Sequence, residues 1–224
     1  MCGRFAVITP PEAMRALFAY GEQPNFPARY NIAPTQPIAV VAAEAGKRHF
    51  VLMRWGFIPG FVKDEKGFPL IINIRGETAR VKPSYRAAFM RRRCLIPADG
   101  FYEWRRVGRD RQPFLIRRAD EKPFAFAGLH ETWSSRDGSE IDTAAIITTD
   151  ANGLLAALHH RMPVILDEAD HARWLDPATP LDEAEALLRP APDGLLAMRR
   201  VGMAVNKATN EGEDLWRADD LFSD

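Results

Sequence analysis

Cys94-Leu95-Ile96-Pro97-Ala98-Asp99-Gly100-Phe101-Tyr102-Glu103-Trp104 is the stretch on which the reading of this chain turns. Cys94 to Pro97 is a short apolar run, the turn formers Asp99 and Gly100 close it, and aromatic residues follow with one carboxylate among them. Short apolar or alternating runs bounded by Gly, Pro or Asp are read as strands. The pattern recurs at 38–42, 49–55, 70–74, 113–117, 124–129 and 143–148, with Val164-Ile165-Leu166 as a further short run. Tyr30 to Pro37 reads as a Pro-rich connection.

Helical signals are fewer. Thr9-Pro10-Pro11-Glu12 supplies a capping hydroxyl, proline in the first turn and a carboxylate, ahead of Met14, Leu17 and Phe18 at helical spacing, which predicts a helix over about 10–20. Ser84 to Arg93 sets Tyr85, Ala88 and Phe89 on one side and arginines around the rest, as in a helix with an exposed basic face. Asp150 is a cap for a helix carrying Leu154, Leu155 and Leu158, and Asp167 and Asp182 are caps for two more, stopped by Pro177 and Pro190. The regular alternation of a doubly wound fold is missing. The expected fold is therefore α+β, a single domain over 1–224 with a curved, mostly antiparallel, barrel-like β-sheet core and peripheral helices, ending in an acidic tail at 211–224.

Composition narrows the function classes. Of 224 residues, 46% are hydrophobic and 27% charged, values typical of folded globular proteins and not of disordered chains. No apolar stretch approaches the ~18 residues of a membrane helix, and Met-Cys-Gly-Arg-Phe lacks the apolar core of a signal peptide, so a cytoplasmic location is expected. Two cysteines, Cys2 and Cys94, make neither a disulfide framework nor a four-thiolate zinc site. His49, His130, His159, His160 and His171 show no zinc spacing with them, so neither a metal nor any other cofactor is expected. Phosphate-loop, dinucleotide and serine-hydrolase signatures are absent from the sequence.

The net charge is zero, with 30 basic and 30 acidic residues, yet the distribution is uneven. Between Arg75 and Arg118, thirteen basic side chains stand against four acidic ones, whereas from Val164 onward fourteen acidic residues outnumber six basic ones. An arginine-rich segment matches phosphate oxygens, because the guanidinium fork can donate two parallel hydrogen bonds. A solvated face balanced by the acidic C-terminal third is the alternative account.

Three kinds of residue carry a chemical reading beside a structural one. Loss of Met1 would leave Cys2 with a free α-amine beside its thiol, two groups whose reference pKa values of about 8 and about 8.5 leave part of each deprotonated near neutrality. Such a 1,2-aminothiol attacks an aldehyde first through nitrogen and then closes a five-membered thiazolidine through sulfur, the second step being intramolecular. Read for fold alone, Cys2 is a small residue at the start of a first strand. Asn73 and Arg75 interrupt Leu70-Ile71-Ile72-Asn73-Ile74-Arg75, and Glu103 sits between Tyr102 and Trp104, where burial would raise its pKa toward that of a proton shuttle or an arginine would hold it in an ion pair. His160, at a helix end, is either a proton donor or a cap.

The order of blocks along the chain resembles one family. Met1-Cys2-Gly3-Arg4-Phe5, Tyr30-Asn31-Ile32-Ala33-Pro34, Arg54-Trp55-Gly56, Asn73-Ile74-Arg75-Gly76-Glu77-Thr78, the opening stretch 94–104, Phe126-Ala127-Gly128-Leu129, Thr148-Thr149-Asp150-Ala151-Asn152, His159-His160-Arg161-Met162-Pro163 and Val205-Asn206 are similar to the successive blocks of the SRAP (SOS response-associated peptidase) family, over about 2–210. The resemblance implies an abasic-site processing protein that acts on single-stranded DNA, as a monomer, in the cytoplasm and on the nucleoid when bound to DNA. It implies Cys2 as the nucleophile crosslinking to the lesion, Asn73 as the residue orienting amine and sugar, Glu103 as acid and base, and His160 as the proton donor for ring opening and reversal. It also implies Arg4, Pro34, Trp55, Arg75, Thr149 and Arg161 as lining a DNA channel, a self-processing peptidase step that exposes the cysteine, and β-elimination lyase activity. The arginines of 105–111 exceed what the resemblance requires.

Two other functions compete with that expectation. One is an N-terminal-nucleophile hydrolase of peptides or amides, with Cys2 and His160 as the working pair and no DNA. The other is a non-catalytic single-strand binding module, whose affinity would be salt-sensitive and indifferent to the lesion.

Overall fold

The structure is a computed structural model that describes residues 2–108 and 110–218. Met1, whose removal the aminothiol chemistry needs, Arg109 and the end of the acidic tail lie outside the described residues. Strand β1 (Phe5–Val7) leads into helix α1 (Pro11–Phe18), then β2 (Arg29–Ile32), β3 (Pro37–Glu44), β4 (Lys47–Trp55) and β5 (Asn73–Arg75). Helices α2 (Gly76–Ala79) and α3 (Pro83–Arg91) precede β6 (Arg93–Ala98), β7 (Gly100–Val107), β8 (Asp110–Arg118), β9 (Phe124–Ser134) and β10 (Glu140–Asp150). Helix α4 (Gly153–Ala156), strands β11 (Arg161–Pro163) and β12 (Ile165–Leu166), helices α5 (His171–Leu175) and α6 (Leu181–Ala186), and β13 (Leu196–Arg200) complete the regular elements.

Five strands pair in a closed circuit, β10 to β4 to β3 to β6 to β9 and back to β10. All these pairs are antiparallel except β4 with β10, and β5 adds a second parallel pair on β10. Closure leaves the barrel without open edges along this circuit. The β3–β4 hairpin turns on Ala45 and Gly46, both at positive φ (49° and 76°), the combination that a tight two-residue hairpin demands and that glycine adopts freely. Gly128 on β9 is required for a different reason: a Cβ there would lie 2.8 Å from Ile96 Cδ1 and 2.9 Å from Cys94 Sγ.

A second, wholly antiparallel sheet runs β13-β8-β7-β1-β2. Aromatic edges join it to the barrel: Phe5 on β1 meets Trp55 on β4 at 5.1 Å and Phe126 on β9 at 5.8 Å, and Phe101 on β7 meets Phe126 at 5.8 Å. Edge-to-face pairs of this kind add attraction beyond the buried area. The outcome is that the start of the chain and strand β7 are pressed against the barrel wall.

The expected α+β architecture with a curved, mostly antiparallel barrel-like sheet is the one observed, with structural corrections. Strand β2 occupies the first part of the segment read as a Pro-rich connection, because Phe5 and Ile32 pair across β1 and β2. Of the run 70–74 only the last two residues join strand β5, while Ile71 makes an isolated bridge to Phe57. Thr9 does not cap α1. Its hydroxyl donates to Asp99 Oδ1 at 2.5 Å while Asp99 Oδ2 accepts from the main-chain N–H groups of Ile8 (2.6 Å) and Thr9 (2.9 Å), tying the end of β1 to the β6–β7 turn. Asp150 ends β10, and the cap of α4 is Asn152, whose Oδ1 accepts from Leu155 N at 3.0 Å. Asp182 lies inside α6, and Asp167 precedes a 3-10 turn without a side-chain cap, so neither closes a helix N-terminus.

Candidate functional site

Strand β7 brings Glu103 beside the first residues of the chain. The β1–β7 ladder pairs Phe5 with Phe101 and continues through a hydrogen bond from Tyr102 N to Arg4 O (3.0 Å), so one further step places Glu103 opposite Gly3. Both Cys2 and Glu103 are buried, the cysteine completely. Burial pushes the Cys2 thiol far above its ordinary range, and the nearby Glu103 carboxylate pushes it further. The Sγ donates weakly to Arg4 O at 3.7 Å. Burial likewise raises the Glu103 carboxyl. A thiol titrating near its reference value, as the sequence suggests, is therefore replaced by one kept protonated next to a carboxyl that burial also shifts toward its protonated form.

Asn73 completes this group from the other sheet. Its Nδ2 donates to the Cys2 carbonyl oxygen at 2.8 Å, and its Oδ1 is buried with no hydrogen-bond partner among the described residues. The strand carrying it is held on both sides: Asn73 is in register with Ile146 on β10, and Trp55 Nε1 donates to Ile72 O at 3.0 Å. An amide with one group engaged and an oxygen left over is an acceptor awaiting a donor.

His160 is exposed, its ring stacked on His159 with centroids 4.4 Å apart. Neither a hydrogen bond nor a ring contact among the described residues joins it to Cys2 or Asn73. Its link to them runs through Arg161, which is buried and pinned: Nη1 donates to Glu77 Oε1 (2.6 Å) and Asp150 Oδ1 (2.8 Å), and Nη2 to Glu77 Oε2 (2.9 Å) and Thr148 O (2.7 Å). Arg161 thus buckles the segment after His160 to the helical turn that follows Asn73 and Arg75.

The remaining sequence candidates are spread over several environments. Arg4 donates to Asn31 Oδ1 at 2.8 Å and Val205 O at 3.0 Å, and burial lowers its pKa. Arg75 is exposed at the start of α2, and Pro34 is half-buried in the loop after β2. Thr149 is buried on β10 opposite Met162. Trp55 is wholly inside the core, so its ring is not available for stacking here, and its Nε1 holds Ile72, the residue just before the strand that begins at Asn73. Sequence reasoning missed Glu77, the partner of Arg161, and Asn31, the partner of Arg4. Asn31 carries the usual signal of a polar residue alternating into a core, whereas nothing local marks Glu77. Among the described residues no group of three or more His, Cys, Asp and Glu side chains is placed to hold a metal ion, and no helix is long and apolar enough to cross a membrane.

A five-strand barrel with a second sheet pressing a buried cysteine, an asparagine and a glutamate together defines a recognisable class. The chain belongs to the SOS response associated peptidase (SRAP) family, whose model matches residues 1–208. It is 36% identical over 220 residues to the Abasic site processing protein YoqW of Bacillus subtilis, covering 96% of this chain and 98% of that one. It is 30% identical over 223 residues to the Abasic site processing protein YedK of Escherichia coli, covering 96% and 98%. Among solved structures, a protein from Bacteroides thetaiotaomicron matches with a TM-score of 0.88 at 26% identity, over 97% of this chain and 100% of that one.

Proposed function

We propose that this chain processes abasic sites in single-stranded DNA by covalent capture through Cys2, after the residue before it has been removed. The convergence of Cys2, Asn73 and Glu103 carries this reading. The freed α-amine adds to the aldehyde carbon of the ring-opened sugar, water leaves to give an imine, and the Cys2 sulfur then adds to the same carbon while its proton passes to nitrogen by way of Glu103. One C–N and one C–S bond form, and one water is released. The unpartnered Oδ1 of Asn73 is suited to accept a hydrogen bond from the new amine and keep its lone pair aimed at the lesion.

His160, exposed and outside the buried group, is assigned to protonating the sugar ring oxygen during opening and to the reverse reaction. Arg4, Pro34, Trp55, Arg75, Thr149 and Arg161 are assigned to the strand's path, Arg75 by direct contact and the buried members by shaping its walls. An imine also acidifies the adjacent sugar carbon, which provides for lyase activity, and a peptidase step at Cys2 is an alternative to ordinary methionine removal. The protonated, buried thiol disfavours the reading as a thiolate amidohydrolase that acts without DNA.

The test is incubation with single-stranded DNA carrying one abasic site, read on a denaturing gel beside the intact mass of the protein. An adduct that survives denaturation, is absent in Cys2→Ala and belongs to protein lacking Met1 is the expected result. Adduct formation by Cys2→Ala would overturn it.

A further inference from the structure

Strand β7 does not stop at the site. From Glu103 it runs on through Trp104, Arg105 and Arg106, turns, and returns as β8 through Arg111, forming a two-stranded ribbon in register Arg105↔Gln112 and Arg106↔Arg111. Arg105, Arg106 and Arg111 are all exposed. Arg106 and Arg111 are directly opposite, so their side chains share one face of the ribbon, and neither makes an ion pair among the described residues. Like charges placed directly across an antiparallel pair oppose folding. Arg105 is on the Glu103 face, two positions further out, with its guanidinium over the Phe114 ring at 5.2 Å. Since alternate residues rise together by roughly 7 Å, the cationic surface begins immediately beyond the carboxyl.

The ribbon's base is anchored to the same segment that holds the start of the chain. Trp104 Nε1 donates to Asn206 Oδ1 (2.6 Å), and Asn206 Nδ2 donates to Arg111 O (3.2 Å), clamping both strands of the ribbon. The main-chain carbonyls of Val205 and Asn206 in turn accept from Arg4 at 3.0 and 3.4 Å. A charged arm with this footing has a fixed position relative to Cys2 and Glu103.

We infer that the β7–β8 ribbon is a phosphate-gripping arm, in which Arg106 and Arg111 together bind the phosphodiester backbone of the nucleic acid flanking the captured lesion. The inference rests on the DNA-processing reading above and extends it to a surface outside the reacting residues. Two guanidinium groups rooted at directly paired positions on one face repel each other and gain most from an anion between them, and a phosphate accepts two hydrogen bonds from each fork.

The experiment measures non-covalent affinity for undamaged oligonucleotides, one fully single-stranded and one with a duplex flank, across a salt series. Because no lesion is present, the result is independent of the Cys2 chemistry, and absence of a covalent adduct in the separate abasic assay would count against that chemistry alone. For every phosphate no longer neutralised by an arginine, the slope of log affinity against log salt falls by about 0.7 on a single strand and about 0.9 on duplex. Because the pair shares one phosphate, the double variant Arg106→Ala/Arg111→Ala is expected to lower the slope by about 0.7 on the single strand or about 0.9 on the duplex flank, on at least one probe, with Arg106→Lys/Arg111→Lys keeping most of it. The probe affected identifies whether the arm holds strand or duplex. Unchanged slopes on both would overturn the inference, as would a lowered melting temperature in the alanine variant, which would mark the pair as a structural element instead.

Discussion

Arg161 grips Glu77 through two parallel hydrogen bonds, 2.6 and 2.9 Å long, and so fastens strand β11 to the turn that follows Asn73 and Arg75. The two residues are 84 positions apart, and each lies beside a segment that the proposed chemistry needs.

This fork makes a first prediction. Arg161 holds the Glu77 carboxyl below the ordinary carboxylate range, so the fork's contribution is complete above about pH 4.3 and is lost as pH falls through the lowered value. Glu77→Gln should cost about 1–2 kcal/mol at neutral pH, the lower part of the range for charged hydrogen bonds because the carboxyl is half exposed. Urea unfolding at pH 7 and pH 3 checks it, with the gap between wild type and variant shrinking at the lower pH.

Glu103 behaves in the opposite sense. Burial raises its pKa, so the folded protein holds a proton that the unfolded chain releases first, and stability falls as pH rises from about 4.3 to the raised value. Glu103→Gln removes this slope and is expected to melt higher than wild type at neutral pH. The same variant is expected to form the DNA adduct at least ~100-fold more slowly, the usual scale for removal of an acid–base group. A melting curve and a single-turnover time course separate the two effects, and a destabilised variant would contradict the assignment.

His130 supplies a second pH test, away from the site. Burial lowers its pKa to about 4, and the adjacent Arg92 adds to the effect. Between about pH 6.5 and pH 4 the unfolded chain therefore binds a proton that the folded one refuses, and stability drops as pH falls. His130→Gln should flatten the melting temperature over that window relative to wild type, with little change above pH 7.

Gly128→Val tests the barrel wall. With Ile96 Cδ1 and Cys94 Sγ within 3 Å of a Cβ position, the added side chain must displace these two tightly packed side chains of β6. A loss of roughly 1–3 kcal/mol is expected from overpacking, read as a lower urea midpoint with an unchanged slope.

Much of the architecture was legible because strand formation is signalled locally. The runs at 38–42, 49–55, 94–97, 113–117, 124–129 and 143–148 each became the body of a strand, since apolar residues between turn formers bury well in a sheet wherever it forms. Strands β2 and β13 were not visible: Arg29–Ile32 and Leu196–Arg200 mix polar and apolar residues without a bounded apolar run and become strands through pairing with β1 and β8, not through their own pattern. The caps failed at Thr9 and Asp150 for a related reason. A hydroxyl or carboxylate takes whichever donor or acceptor the fold brings within reach, and at Thr9 that was Asp99, 90 residues away.

The amino-acid order by itself determined which residues stood out chemically, Cys2 near the start, Asn73 in an apolar run and Glu103 between aromatics, because residue type and near neighbours suffice to show a polar group out of place. Only the tertiary structure decided their protonation and their company. The Cys2 thiol is held neutral by burial and by a carboxylate 101 positions later in the chain, and its carbonyl is engaged by an amide 71 positions away. Desolvation and Coulomb interaction depend on distance in space, and no local pattern encodes a distance that two packed sheets create.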